Sequence, residues 1–132
     1  MNHEFYNHLI DSDAFCLHLG RSTLMVSKLE SCLKEIVVAA EIKIRNKPTL
    51  GELVGACKDH KLVGDDVLYL LAFILERRNY VVHNLYPLFD GKIEPTLLPN
   101  SNLIPEDAEY LFAKCIRELL EEVHEVLGML NI

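Results

Sequence analysis

Val67-Leu68-Tyr69-Leu70-Leu71-Ala72-Phe73-Ile74-Leu75 runs directly into Glu76-Arg77-Arg78-Asn79-Tyr80-Val81-Val82-His83-Asn84-Leu85-Tyr86-Pro87. The first part is so densely apolar that a helix built from it has almost no face for water, which places that helix in the middle of the fold. The second part turns polar and stops at a proline, and Tyr86 is biased out of the helical region by Pro87. The expected helix therefore starts at Gly64-Asp65 and reaches about Leu85. On it Arg78 shares the stripe of Leu71, Leu75, Val82 and Leu85, a cation set into an apolar face. An unpaired guanidinium buried there is costly, so it needs an anion, a set of carbonyls or a water-filled cleft.

Glu76, Asn79, His83 and Tyr86 recur at steps of three, four and three, on an adjacent polar face. Asn79 stands one turn before His83, where its amide can bond the imidazole and select a tautomer. The dipole at a helix C-terminus favours the protonated ring, and His is the side chain suited to acid and base work near neutrality. A plainer reading also fits these residue types, because Arg and His in a last turn cap free carbonyls.

Upstream, Asp11-Ser12-Asp13 is an N-cap cluster, and Phe15, Leu19, Val26, Leu29, Leu33, Ile36, Ala40 and Ile44 form a helical stripe reaching Arg45. A helix of about 30 residues is roughly 45 Å long, so it either breaks near Gly20 or extends along a partner. Residues 1–10 fit one helical turn or an arm. Asn46-Lys47-Pro48 closes the long helix, and Thr49-Leu50-Gly51-Glu52 reads as a reciprocal capping box. The short helix it opens buries Leu50, Leu53, Val54 and Cys57 and ends around Lys58-Asp59-His60-Lys61.

Downstream, Pro87, Pro95, Pro99, Asp90-Gly91 and Asn100-Ser101-Asn102 signal a long loop, with a small hairpin about Asp90-Gly91. Loops of that length in small domains serve as lids, binding loops or partner contacts. Pro105 opens the last helix, with Glu106, Asp107 and Glu109 near its positive end. Ala108, Phe112, Cys115, Leu119, Val123, Val126 and Leu130 form its apolar stripe. The fold class is all-α, an up-and-down bundle of four or five helices in a single domain over residues 1–132.

Half of the 132 residues are hydrophobic and the net charge is -7. The apolar surplus points to a subunit interface, hence a twofold homodimer. No run approaches the roughly 18 apolar residues of a membrane span, and the N-terminus lacks the order of a secretion signal, so a cytoplasmic location is expected. Cys16, Cys32, Cys57 and Cys115 occupy apolar helical positions without metal-binding spacing and read as buried hydrophobes; no metal site and no cofactor is expected. The acidic balance excludes a protein that coats itself in nucleic acid. Cations concentrate at Lys43, Arg45, Lys47, Lys58 and Lys61, which leaves room for a local RNA surface.

Leu75-Glu76-Arg77-Arg78-Asn79-Tyr80-Val81-Val82-His83 resembles the signature of the HEPN superfamily, in which an Arg, four to six residues and a His lie at the end of a core helix. A polar residue, often Asn, follows that Arg, as Asn79 does here. Thr49-Leu50-Gly51-Glu52-Leu53 resembles the short helix that precedes the motif helix in such bundles. Elsewhere the likeness is only that of a helical bundle of suitable length. The resemblance implies a metal-independent endoribonuclease, a toxin of a toxin–antitoxin pair or an antiviral effector, with Arg78, His83 and Asn79 catalytic and Arg77 and Tyr86 contacting RNA. His83 would supply acid or base catalysis and Arg78 would grip phosphate with its planar fork. One histidine cannot easily be both acid and base, so two motifs facing across a twofold axis are expected. One branch has a nucleotidyltransferase antitoxin that modifies a tyrosine two positions after the His. Here that position is Leu85 and the tyrosine is Tyr86, which leaves it to stack on a base or to pack. The alternative within the same resemblance is a non-catalytic module that binds a nucleotide or RNA, or holds a dimer.

Overall fold

The computed structural model describes residues 3–83 and 105–131. They form five helices: α1 (His3–Asp11), α2 (Asp13–Ala39), α3 (Leu50–Asp59), α4 (Asp65–His83) and α5 (Pro105–Met129). No strand occurs among the described residues, and none of their helices is long and apolar enough to cross a membrane. The expected loop after Tyr86, with its hairpin at Asp90-Gly91, lies outside the described residues, as does the proposed extension of α4 to Leu85.

Helix boundaries follow local chemistry. Ser12 caps α2 by accepting from the Phe15 amide at 3.2 Å. α2 runs through Gly20 without a break, so the helix is continuous where a break was one of two expected outcomes. It stops at Ala39, short of the expected Arg45, because Glu41 adopts φ 60° and turns the chain. The Glu41 amide then bonds Val38 O at 3.0 Å and the Ile42 amide bonds Val37 O at 3.3 Å, a Schellman closure that satisfies the last carbonyls. Lys61, at φ 51°, ends α3 in the same way through Leu62 N to Cys57 O at 3.0 Å. Thr49 caps α3 as expected, accepting from Glu52 N at 3.1 Å. The reciprocal half of the box is not made, because the Glu52 carboxylate takes Arg45 Nε at 2.8 Å instead.

α5, rather than α4, is the middle of the bundle: it packs against α1, α2 and α4, while α3 bridges α2 and α4. Its amphipathic stripe accounts for this, since Phe112, Cys115, Ile116, Leu119, Val123, Val126 and Leu127 are all buried. α4 was expected to be covered all round, but Tyr69 and Phe73 stand outward as an edge-to-face pair with ring centroids 5.0 Å apart. Aromatic area tolerates such exposure when the opposite face supplies the core contacts, here Val67, Leu71, Ile74 and Val81. Cys32, Cys57 and Cys115 are buried as expected, whereas Cys16 is exposed and its thiol donates to Leu9 O at 3.4 Å.

The apolar interior is in two parts. The larger one gathers Leu29, Leu33, Val37, Leu50, Leu53, Leu71, Ile74, Leu119 and Val123 among others. The smaller one gathers Leu9, Phe15, Val81, Phe112, Cys115 and Ile116. One carboxylate pins the smaller part: Glu109 of α5 accepts from His8 Nε2 of α1 at 2.5 Å and from the Ser12 hydroxyl at the head of α2. Its pKa is held below the ordinary carboxylate range, chiefly by the Ser12 hydrogen bond and then by His8, with burial opposing.

Candidate functional site

Val67, Leu71, Ile74 and Val81 are buried at steps of four, three and seven along α4, and Arg78 fills the gap in that register. Arg78 is half-buried in that register; of the stripe expected for it, Leu71 is buried and Leu75 partly so, while the Val82 side chain and Leu85 lie outside the described residues. Arg78 falls where the two apolar clusters meet, Ile74 belonging to one and Val81 to the other. Close packing cannot continue across a guanidinium, and a cavity of about 320 Å³ opens there. Leu19, Ser22, Thr23, Val26, Ser27 and Glu30 of α2 line it, with Arg78 and Val81 of α4 and Leu119 of α5.

Inside this wall the polar groups differ in availability. The Ser22 hydroxyl, nearly fully buried, donates to Leu19 O at 2.7 Å, and Thr23 donates to the same carbonyl at 3.0 Å. Arg78 donates to the side-chain carbonyl of its neighbour Asn79 at 3.2 Å and forms no ion pair among the described residues. Asn79 thus touches Arg78, and the contact expected between Asn79 and His83 lies outside the described residues. His83 is the last described residue of α4; its side chain, and all of Tyr86, lie outside the described residues.

Arg77 has a different fate from its neighbour. One residue of helix turns it about 100° away from Arg78, towards α5, where its guanidinium meets Glu118 at 2.8 Å and Glu122 at 2.5 Å. Burial works against its charge, but the hydrogen bond to Glu122 and the two carboxylates outweigh that and raise its pKa. The same burial pushes the nearby Cys115 thiol up, against the pull of Arg77, so the sulfur stays a protonated core group rather than a nucleophile. The RNA contact expected of Arg77 thus meets a side chain already engaged within the bundle.

Thr23, Ser27 and Glu30 are not among the site residues expected from the sequence. They form a polar row at steps of four and three along α2, a signal that a helix wheel could have found. Nothing in the sequence says that this row faces Arg78. Among the described residues no group of His, Cys, Asp and Glu is arranged to hold a metal ion. Comparison with protein-family models, with characterised proteins and with solved structures finds no match.

Proposed function

We propose that this protein is a HEPN-like, metal-independent endoribonuclease that works as a homodimer, a toxin or defence effector acting on RNA in the cytoplasm. The observation that carries the reading is Arg78: a cation held on a buried stripe, free of any carboxylate among the described residues, at the edge of a cavity. Stability alone gives no reason for a cation at that position, since apolar replacement of buried charge is often neutral or stabilising. RNA supplies its own nucleophile. The 2′-hydroxyl attacks the adjacent phosphorus, the bond to the 5′-oxygen breaks, and the products carry 2′,3′-cyclic phosphate and 5′-hydroxyl ends. His83 moves one proton of that exchange, a contribution of about 10²- to 10⁴-fold. Arg78 neutralises the crowded phosphorane, and the same histidine of a second copy moves the other proton. An open apolar face supports the second copy: Leu17 and Leu24 of α2 are exposed, and Leu24 and Met25 line a groove with Leu120 between Arg21, Glu121 and His124.

The test is cleavage of single-stranded and structured RNA by purified protein in EDTA. His83→Ala and Arg78→Ala should each lose activity, and wild-type cleavage no faster than that of His83→Ala overturns the reading. A non-catalytic nucleotide- or RNA-binding module is the second reading. It is favoured over cleavage of a long RNA strand by the net charge of -7 and by the engagement of Arg77 with Glu118 and Glu122, which leave few cations to track a backbone and suit a single nucleotide or a short contact. It is distinguished by RNA binding that depends on Arg78 without strand scission.

A further inference from the structure

We infer that the cavity beside Arg78 is a base-reading pocket that takes a single guanine of the RNA, with Glu30 as its specificity residue. The inference rests on the proposed RNA reading of this site.

Size comes first. About 320 Å³ lies at the lower end of the space that ligand pockets offer and is enough for a planar heterocycle. Shape and polarity come next. Leu19, Val26, Val81 and Leu119 give apolar walls against which the faces of a base can pack, and RNA is read mainly through bases splayed out of the strand. Arg78 at the same cavity supplies the cation for the phosphate of that nucleotide.

Glu30 then decides which base. It is half-buried on the cavity wall and has no ion pair or hydrogen bond among the described residues. A carboxylate only accepts hydrogen bonds. Guanine alone presents two adjacent donors on its Watson–Crick edge, N1–H and the N2 amino group, which match the two carboxylate oxygens. Adenine and cytosine set one amino group beside a ring acceptor, and uracil flanks its single N–H with two carbonyls, so each meets the carboxylate with a repulsive lone pair. Ser27 lies three residues earlier on the same face and also lines the cavity, without a hydrogen bond of its own. In the proposed complex its hydroxyl donates to guanine O6. Ser22 and Thr23 have already committed their protons to Leu19 O and complete the wall without adding donors.

The test uses binding, so that it stands apart from catalysis. Short oligonucleotides carrying one central 2′-deoxynucleotide and 2′-O-methyl groups at every other position cannot be cut; dG, dA and deoxyinosine versions are titrated by calorimetry against the full-length protein. A good bidentate contact discriminates by about 10- to 100-fold, so dG should bind that much more tightly than dA. Deoxyinosine, which lacks only the N2 amino group, should lose most of the advantage. Glu30→Gln, isosteric and half-exposed, should bring dG and dA within about threefold while leaving the helical circular dichroism unchanged, and Ser27→Ala should weaken dG selectively. Equal affinity for dG and dA in the wild type, or a dG preference that survives Glu30→Gln, overturns the inference. Tighter binding of free GMP than of the dG oligonucleotide also overturns it, by assigning the pocket to a free guanine nucleotide. Failure of the nuclease reading alone would show as dG-selective binding without cleavage of ordinary RNA.

Discussion

Arg77 on α4 donates from Nε to Glu122 Oε1 on α5 at 2.5 Å, and its other arm reaches Glu118 at 2.8 Å. Both Arg77 and Glu122 are less than one-fifth exposed, and Glu122 Oε2 lies buried with no hydrogen bond among the described residues. Removing the arginine leaves a desolvated carboxylate without its partner. Arg77→Leu should therefore cost about 2–4 kcal/mol in urea denaturation. Arg77→Leu combined with Glu122→Leu should recover most of that loss, because apolar packing replaces both charges. A single mutant within about 0.5 kcal/mol of wild type would show that the pair is solvated and contributes little.

Arg78 should behave in the opposite sense. Arg78→Leu continues the Leu71, Ile74 and Val81 stripe and removes the cost of holding a cation there. The substitution is expected to be neutral or to stabilise by up to about 1 kcal/mol, while the RNA cleavage proposed above should fall at least a hundredfold, like the loss of an electrostatic transition-state contact. Arg78→Lys should keep the fold and recover little activity, because an ammonium lacks the planar fork. Thermal denaturation and initial cleavage rates measured on the same preparations check both halves.

Glu109 makes the bundle acid-sensitive. Its pKa is lower in the folded chain than in the unfolded one, so its contribution is fully present above the unfolded value near 4.5 and disappears as pH falls through the folded value. Glu109→Gln should cost about 1 kcal/mol at pH 7, and the gap between mutant and wild type should narrow as pH drops below the ordinary carboxylate range. Urea midpoints at pH 7, 5 and 3.5 give the comparison. A gap that stays constant would mean that the Ser12 and His8 contacts do not distinguish the ionised carboxylate.

Two backbone substitutions of opposite sense should both stabilise. Gly20 sits inside α2 with open space where a Cβ would go, so Gly20→Ala should gain about 0.5–1 kcal/mol in helix propensity. Glu41 turns the chain at φ 60°, a conformation that L side chains resist, so Glu41→Gly should gain a similar amount, about 0.5–1 kcal/mol. Each is read from the denaturation midpoint, and a loss at Gly20 would reveal a partner packed against that face.

Much of the fold can be read from residues alone because its signals are local. Ser12 and Thr49 announce helix starts, Pro105 sits at the first position of α5, and the apolar period of α5 marks the buried face that the structure confirms. The end of α2 was less legible. Its apolar period continues through Ile42 and Ile44, which still pack on the core after the helix has stopped, so periodicity could not separate helix from packed loop. The long aliphatic run of α4 likewise suggested burial on every side, although Tyr69 and Phe73 face outward. Composition counts apolar residues without saying how many neighbours stand ready to cover them.

The candidate site divides in the same way. That Arg78 interrupts an apolar stripe, with Asn79 beside it and His83 at the end of the helix, is a matter of spacing along one chain segment, and short-range geometry is sufficient to state it. Which of two adjacent arginines stays available, and what faces it, depends on where α5 and α2 pass. Glu118 and Glu122 capture Arg77 from a helix more than forty positions away in sequence, while Thr23, Ser27 and Glu30 reach the Arg78 cavity from fifty positions upstream. Helix propensity and capping act over one or two turns, whereas ion pairs and cavities are set by packing between helices, and only the assembled bundle decides them.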